Sequence, residues 1–460
     1  MDQLRVETWR QWKGASLASL VALATVALTG PLAAQATFAA ASSDDAEVTY
    51  AEDIAPLFNE NCVACHREGS IGPMPLTTYD EVKQWAPLIK FRVQERIMPP
   101  WHIDPTIGIQ AFKNDRSLSQ DQIDMIATWV DNGAPQGDPS VKPPIPEEAD
   151  PYTWRLNTEK GMGQPDMIIK SEPFTVPAQG QDKWWRPVVE TGITEERWLR
   201  AIEVRPSPKG RQVTHHVLVG LQQEEQGITG LASSAADQVM SSGLLTEFAI
   251  GKMGEIYPEN TGKLLLPGSK LDFELHYWPN GVRVEDDQVE VGLWFYPKGE
   301  RPNYRTILTY FDASPASRLE IPPNTVTMHE TVHTLPAPAR IESFQPHMHM
   351  RGKAMSMEAI YPDGRREMLS MVDHFQFAWH VNYLYETDSA PLLPKGTKLV
   401  FKVWHDNTAD HPTNPDPNQF VTWADRSVDE MGHAWVGVTY LEQEDYERMK
   451  AEREDNVAEE

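Results

Sequence analysis

The chain has little that would staple it, attract nucleic acid or hold it in a membrane. Only two cysteines occur in 460 residues, which excludes a disulfide-stapled scaffold. Both have another use, described below, so no free thiolate remains for a blue-copper centre. Basic residues are scarce: 41 Lys and Arg stand against 67 Asp and Glu, for a formal net charge of −26. A phosphate backbone selects basic surface, so no nucleic-acid partner is expected. Beyond Leu28 no apolar run approaches the roughly 20 residues of a membrane span. What is there is a folding composition, 40% hydrophobic and 23% charged, long enough for two to four domains at about 100–200 residues each.

The first residues read as an address. Arg5, Arg10 and Lys13 precede an apolar run from Ala15 to Leu28, and Ala34-Gln35-Ala36 fits an A-x-A cleavage site. That is the layout of a secretory signal peptide over 1–36. It predicts a periplasmic or secreted protein that spans no membrane after cleavage. A buried helix or an N-terminal anchor is the competing reading.

Cys62-Val63-Ala64-Cys65-His66 is C-x-x-C-H, the pattern of covalent haem c attachment. The two thiols add across the haem vinyl groups, and His66 is then placed to bind the iron from one face. A redox dithiol or half a zinc site would use the same cysteines. Thr49 with Glu52 spells a capping box ahead of Ile54, Leu57 and Phe58. Ser119 with Gln122 repeats that logic ahead of Ile123, Ile126, Ala127 and Val130, and Gly133 is a natural stop. An opening helix, the C-x-x-C-H and a closing helix carrying Trp129 resemble a class I cytochrome c, which implies a small all-α haem domain over 45–134. Met98, in Met98-Pro99-Pro100-Trp101, resembles that family's Met ligand loop, and a thioether there would raise the potential. Met74 and His102 compete for the same role. Pro135, Pro139, Pro143, Pro144, Pro146 and Pro151 then make 135–151 a semi-rigid extended linker.

From 152 to 445 short alternating runs lie between Pro and Gly. Leu271, Phe273, Leu275 and Tyr277 alternate with polar residues and His276. Met355, Met357 and Ala359 lead through Pro362-Asp363-Gly364 into a second strand. These are hairpins of an antiparallel fold. Leu265-Leu266-Pro267-Gly268 through Leu275 parallels Leu392-Leu393-Pro394-Lys395 through Val403 with one insertion. The repeat predicts two all-β, jelly-roll-like sandwiches, over 152–318 and 319–445 with a boundary near 312–325. An acidic tail over 446–460 is expected to be a solvated helix or frayed end.

Histidines carry the chemistry of this region. In a strand, residues two apart point the same way, so His347-Met348-His349 offers two imidazoles to one ion. His215 and His216 are adjacent and share an ion only at a bulge or strand end. Taken together and in order, Thr214-His215-His216, Leu275-His276-Tyr277, His347-Met348-His349-Met350-Arg351-Gly352-Lys353 and Asp429-Glu430-Met431 resemble the copper type II, ascorbate-dependent monooxygenases. This family includes the peptidylglycine and dopamine hydroxylating enzymes. The resemblance covers about 165–442 and looks closest to bacterial members with an N-terminal cytochrome. It implies two copper ions, one on His215, His216 and His276 for electron transfer, and a catalytic one on His347, His349 and Met431. Imidazole suits copper in both states and a thioether favours Cu(I). It further implies an enzyme that hydroxylates a substrate C–H with O₂, with a small-molecule substrate and an external electron donor as partners.

The peptide-amidating members hold a substrate carboxylate with an Arg two residues before the H-x-H and a Tyr four residues after the Met ligand. Those places hold Gln345 and Trp435 here, which argues against a peptidylglycine substrate and for a less polar one. His405 lies on the apolar face of its strand and reads as a core residue. His433 could line the substrate pocket, while His329, His333, His374, His380 and His411 show no ligand spacing. A copper-binding electron carrier without oxygenase activity, and a zinc hydrolase built on the H-x-H, are the alternatives. Met431 disfavours zinc, which prefers His, Cys and carboxylate.

Overall fold

A computed structural model describes residues 47–68, 72, 74–113, 115–141, 153–224, 243–249, 254–314, 318–424 and 426–459. The expected signal peptide over 1–36 and most of the Pro-rich linker lie outside the described residues. The described part is mostly β-sheet with few helices. Among the described residues no helix is long and apolar enough to cross a membrane.

The helices cluster near the front of the chain. A π-helical turn, Tyr50–Ile54, runs into Ala55–Asn61, and Tyr79–Gln94 and Gln120–Asp131 follow. They share a core that includes Ile54, Phe58, Val82, Ile126 and Trp129. Ser119 and Gln122 cap each other as the sequence predicts. Thr49 accepts the Glu52 N–H at 3.4 Å, but the carboxylate that answers its own N–H is Asp53, at 2.7 Å, rather than Glu52. The wider π turn moves the reciprocal partner one residue on. Thr78 and Glu81 form a further capping box at the start of Tyr79–Gln94, which the sequence analysis did not single out. The start of the linker is pinned: Tyr50 and Ala51 donate to the carbonyls of Pro135 and Gln136 at 2.9 and 3.1 Å.

The expectation of an all-α segment over 45–134 is corrected. Ile103–Gly108 is a β-strand, paired antiparallel with Arg366–Val372 at the edge of a five-stranded sheet. Trp101, Ile103 and Phe112 are buried in the core of the C-terminal half, with Phe344, Met357, Phe401 and Val436. The Trp101 ring meets Tyr383 edge-on at 4.8 Å. Burying two large aromatics against the second β core favours extended backbone over one more helical turn. An edge strand is also covered by this pairing.

The strands form two apolar cores. Val217, Leu271, Phe273, Leu275 and Val291 lie in one, and the C-terminal core just described is the other. Leu271, Phe273, Leu275 and Tyr277 are all fully buried, as their alternation requires. Met355 and Met357 face inward on Gly352–Ile360, which pairs with Arg366–Val372 across the Pro362-Asp363-Gly364 turn. The internal repeat is visible as two strand–turn–strand units: Thr261–Leu265 with Lys270–Tyr277, and Leu392–Leu393 with Lys398–Asp406.

One large sheet joins the halves. Tyr304–Asp312 pairs in parallel with Thr261–Leu265 on one side and antiparallel with Gly432–Tyr440 on the other. Gly432–Tyr440 pairs in turn with Ala339–Met348. The strands bearing the histidine motifs therefore belong to a continuous hydrogen-bonded framework. The acidic C-terminus is a docked helix, Gln443–Glu459, rather than a frayed end. Tyr446 is buried against Tyr304 and Leu441, and Arg453 donates to the Ala390 and Thr387 carbonyls at 2.7 and 2.9 Å.

Candidate metal centre

His216 sits opposite His276 in the pairing of Thr214–Gln222 with Lys270–Tyr277. The next pair is Thr214 with Tyr277, so His215 is an extra residue in its strand. That is a β-bulge, and it turns an adjacent pair of imidazoles to the same side. One ligand atom from each of His215, His216 and His276 lies within 4.8 Å of the others. The Nδ1 atoms of His215 and His216 are 3.0 Å apart. His276 donates from Nε2 to the Asp182 carboxylate at 2.9 Å, while its Nδ1 is buried without a partner. A ring nitrogen oriented by a carboxylate, with the other left bare, is the usual arrangement of a metal-binding histidine. Trp184 stacks on His276 at 4.2 Å and 6°, from the opposite neighbouring strand. These residues fit a metal ion that takes three imidazole nitrogens. Sequence reasoning did not find Asp182 or Trp184, since neither stands in a spacing motif.

The H-x-H lies at the end of Ala339–Met348 and in the turn after it. The His347 and His349 rings are 5.3 Å apart. His349 donates from Nδ1 to the Asp429 carbonyl at 3.3 Å, which leaves Nε2 as the nitrogen open to a metal. Glu430 is fully buried and accepts the N–H groups of His349 at 2.9 Å, Arg351 at 2.5 Å and Met431 at 3.3 Å. This carboxylate draws the Asp429-Glu430-Met431 segment alongside the H-x-H, although some 80 residues separate them in sequence. Among the described residues the H-x-H belongs to no group of three His, Cys, Asp or Glu ligand atoms all within 4.8 Å, so a closed site there needs a ligand of another kind.

Two further histidines, His433 and His380, reach this pair. His433 is paired with His347 across the sheet and stacks on it at 4.4 Å and 26°. His380, for which spacing offered no role, comes from the loop 373–382 to 4.9 Å from His347 and 5.7 Å from His216. The two motif sets are therefore linked by a ring in contact with both. His405 is a satisfied core residue at Nε2, which donates to the Met431 carbonyl at 2.9 Å. Arg351 is fully buried, on Asn407 and the carbonyls of Val428 and Asp416, and is structural. Gln345 and Trp435 face each other across the strand pair, and Tyr310 meets Trp435 at 5.3 Å.

Around the C-x-x-C-H, both cysteines are free thiols. Burial, and then the neighbouring Cys65, push the Cys62 thiol up to about 12. His66 donates from Nδ1 to the Met74 carbonyl at 3.1 Å, which leaves Nε2 for a metal. A Cβ on Gly72 would come within 2.6 Å of the Cys65 carbonyl and of His66 Nδ1, so the backbone at 72 can approach the motif this closely only as glycine. Cys62, Cys65 and His66 are the side chains that would hold a covalent haem here, His66 through Nε2. Met98 is half-buried after Tyr79–Gln94, donating its N–H to the Arg92 carbonyl at 3.2 Å. Met74 is partly buried and packs on the helical core. His102 is buried, its backbone N–H on the Tyr383 hydroxyl at 3.2 Å.

Burial dominates the electrostatics of the histidine cluster and keeps its rings neutral. Burial, then the charge of His276, lowers His215 to about 4. Burial and the surrounding rings lower His380 to about 3, and burial with His349 does the same for His433. His216 and His347 are held well below the usual value for the same reasons. A neutral imidazole is the form that binds metal. In the unfolded chain these rings take protons below about pH 6.5. The unfolded state then holds more protons than the fold, so stability falls as pH falls. The metal-free protein is expected to lose stability progressively as pH falls below about 6.5, where these rings take protons only in the unfolded chain. Urea unfolding at a series of pH values checks this; a midpoint that stays flat from about pH 6.5 to 5 is the contrary result.

No protein-family model matches the chain, and no curated protein matches it. A structure of a protein from Parabacteroides distasonis is similar at 8% identity, over 60% of this chain and 88% of that one, with a TM-score of 0.14. The VP2 subviral particle of infectious bursal disease virus is similar at 9% identity, over 62% and 77%, with a TM-score of 0.18. A two-domain protein of unknown function from Bacteroides fragilis is similar at 10% identity, over 62% and 98%, with a TM-score of 0.13. Similarity at this level carries no argument about what the chain does.

Proposed function

We propose that this chain is an exported copper-dependent monooxygenase with its own haem c as electron entry point, built as a cytochrome c-like module ahead of two jelly-roll-like sandwiches. The observation that carries the reading is the bulge that brings His215 beside His216, which stands opposite His276, with Asp182 on the Nε2 of His276 and its Nδ1 left bare. A structural histidine needs no such arrangement. Under this reading His215, His216 and His276 hold the electron-transfer copper, and His347, His349 and Met431 hold the catalytic one. Cys62, Cys65 and His66 hold the haem, with Met98 as sixth ligand.

The bound metals supply the one-electron and O₂ chemistry. The protein's own part is positional. Asp182 and the Asp429 carbonyl fix which nitrogen of His276 and His349 faces the metal. Glu430 holds the Met431 segment against the H-x-H. Tyr310, His433 and Trp435 form an aromatic wall next to His347, suited to a substrate of low polarity rather than a carboxylate. In the net reaction one atom of O₂ enters a substrate C–H bond and the other leaves as water, with two electrons and two protons from the donor side.

Metal analysis with electron paramagnetic resonance on exported, full-length protein tests the cofactors: one iron and two type 2 coppers per chain are expected. Oxygen uptake that depends on reductant and on an apolar substrate then tests the oxygenase. Haem and copper without such uptake would favour a copper-binding electron carrier, and zinc in place of copper would overturn the reading.

A further inference from the structure

Trp184 is where the three-histidine set meets solvent. It stands directly opposite His276 in the pairing of Lys183–Trp185 with Lys270–Tyr277, and Lys183–Trp185 ends the strand order of its sheet. The indole lies on the His276 ring at 4.2 Å and 6°, and meets the His216 ring edge-on at 5.4 Å. Stacking this close puts two π systems in direct contact. His276 is 2% exposed and Trp184 is 37% exposed, so one ring joins a buried ligand to water. Its neighbour Trp185 turns the other way and stacks on Phe174 at 5.4 Å and 22°, as part of the apolar core. Core filling therefore accounts for Trp185 and leaves the exposure of Trp184 unexplained. Arg186 lies over the outer indole at 5.4 Å and is held to Glu274 at 2.6 Å, which places one cation at this point of the surface.

We infer that Trp184 is an electron port of the three-histidine site. A small one-electron donor from outside the chain touches the exposed indole, and its electron passes through the indole and the stacked His276 ring to the ion. This entry is additional to the haem, and it rests on the copper reading of the site. The step moves one electron: the donor is oxidised by one electron and Cu(II) is reduced to Cu(I). No bond forms or breaks and no proton moves. Electronic coupling falls steeply with distance, so a stacked ring that reaches solvent shortens the gap a donor must bridge. Redox encounters need only a small contact, which one indole beside one arginine supplies. Trp184 is not a ligand, so its loss changes how fast electrons arrive rather than how many ions are held.

The test is rapid mixing of copper-loaded, full-length protein with hexaammineruthenium(II), a cationic outer-sphere reductant, read as loss of the Cu(II) electron paramagnetic resonance signal in freeze-quenched samples. Trp184→Leu is expected to keep the wild-type copper count and to be reduced about tenfold or more slowly, equivalent to about 1.4 kcal/mol on the barrier. Trp184→Phe keeps a stacked ring and should retain most of the wild-type rate. Arg186→Gln removes the cation over the indole and should speed reduction by this cationic probe, an effect that added salt suppresses. It leaves the histidines and Trp184 in place, and it carries the test if the Leu variant loses its metal. Wild-type rates in Trp184→Leu with the copper count intact, or in Arg186→Gln at low salt, would overturn the port alone. Two coppers retained in His276→Ala would overturn the copper reading of the site, and the port with it.

Discussion

Glu430→Ala is expected to destabilise the fold by about 3–5 kcal/mol, the range for removing one member of a buried charged network, and to empty the H-x-H site. Glu430 is fully buried and answers three backbone N–H groups, of His349, Arg351 and Met431. Burial alone would push its carboxyl up. The His405 hydrogen bond and charge, His349 and the Arg351 N–H outweigh that and hold it below the usual range. Alanine leaves those donors without an acceptor and the buried Arg351 without this counter-charge. It also unties Asp429-Glu430-Met431 from His349. The three-histidine site lies on other strands and should keep its metal. Denaturant unfolding and copper counting on the same preparations check both halves. A variant with unchanged stability and two coppers would show that the carboxylate is not the tie.

His276→Ala is expected to reduce bound copper from two ions to one per chain, and Asp182→Asn to weaken the same site by about 10–100-fold without emptying it at saturating metal. The pair separates two causes. Alanine removes the ring whose bare Nδ1 completes the set with His215 and His216. Asparagine keeps the shape of Asp182 but removes the charge that favours the Nε2–H form of His276 and raises its basicity. Trp184, stacked at 4.2 Å on His276, still holds the ring plane in Asp182→Asn, so what that variant loses is electrostatic. Chelator competition gives the affinities and elemental analysis the stoichiometry. Two coppers in His276→Ala would remove this histidine from the ligand set.

Local structure was readable in the sequence. The Ser119 and Gln122 cap, the alternation of Leu271 to Tyr277 and the hairpin at Pro362-Asp363-Gly364 are all written within a few residues. Backbone periodicity and turn propensity act over that range. The condition on His215 and His216 was readable too: an adjacent pair can share an ion only where the strand is irregular. Whether a bulge stands there is a property of the register against Lys270–Tyr277, which only the paired strand reveals.

What escaped the sequence depends on contacts between distant segments. Asp182 and His276 are 94 residues apart, and Glu430 reaches His349 across 81. Ile103–Gly108 was read as part of a helical segment because its decisive partners, Arg366–Val372 and Tyr383, lie more than 250 residues downstream. His380 had no ligand spacing because a loop, with no period of its own, carries it to His216 and His347. The sequence by itself determined which side chains can bind metal and which strands can bury a face, since both follow from residue type and short-range alternation. Tertiary structure alone decided which of those side chains meet, because burial of the apolar faces sets the strand register, and the register sets where every imidazole points.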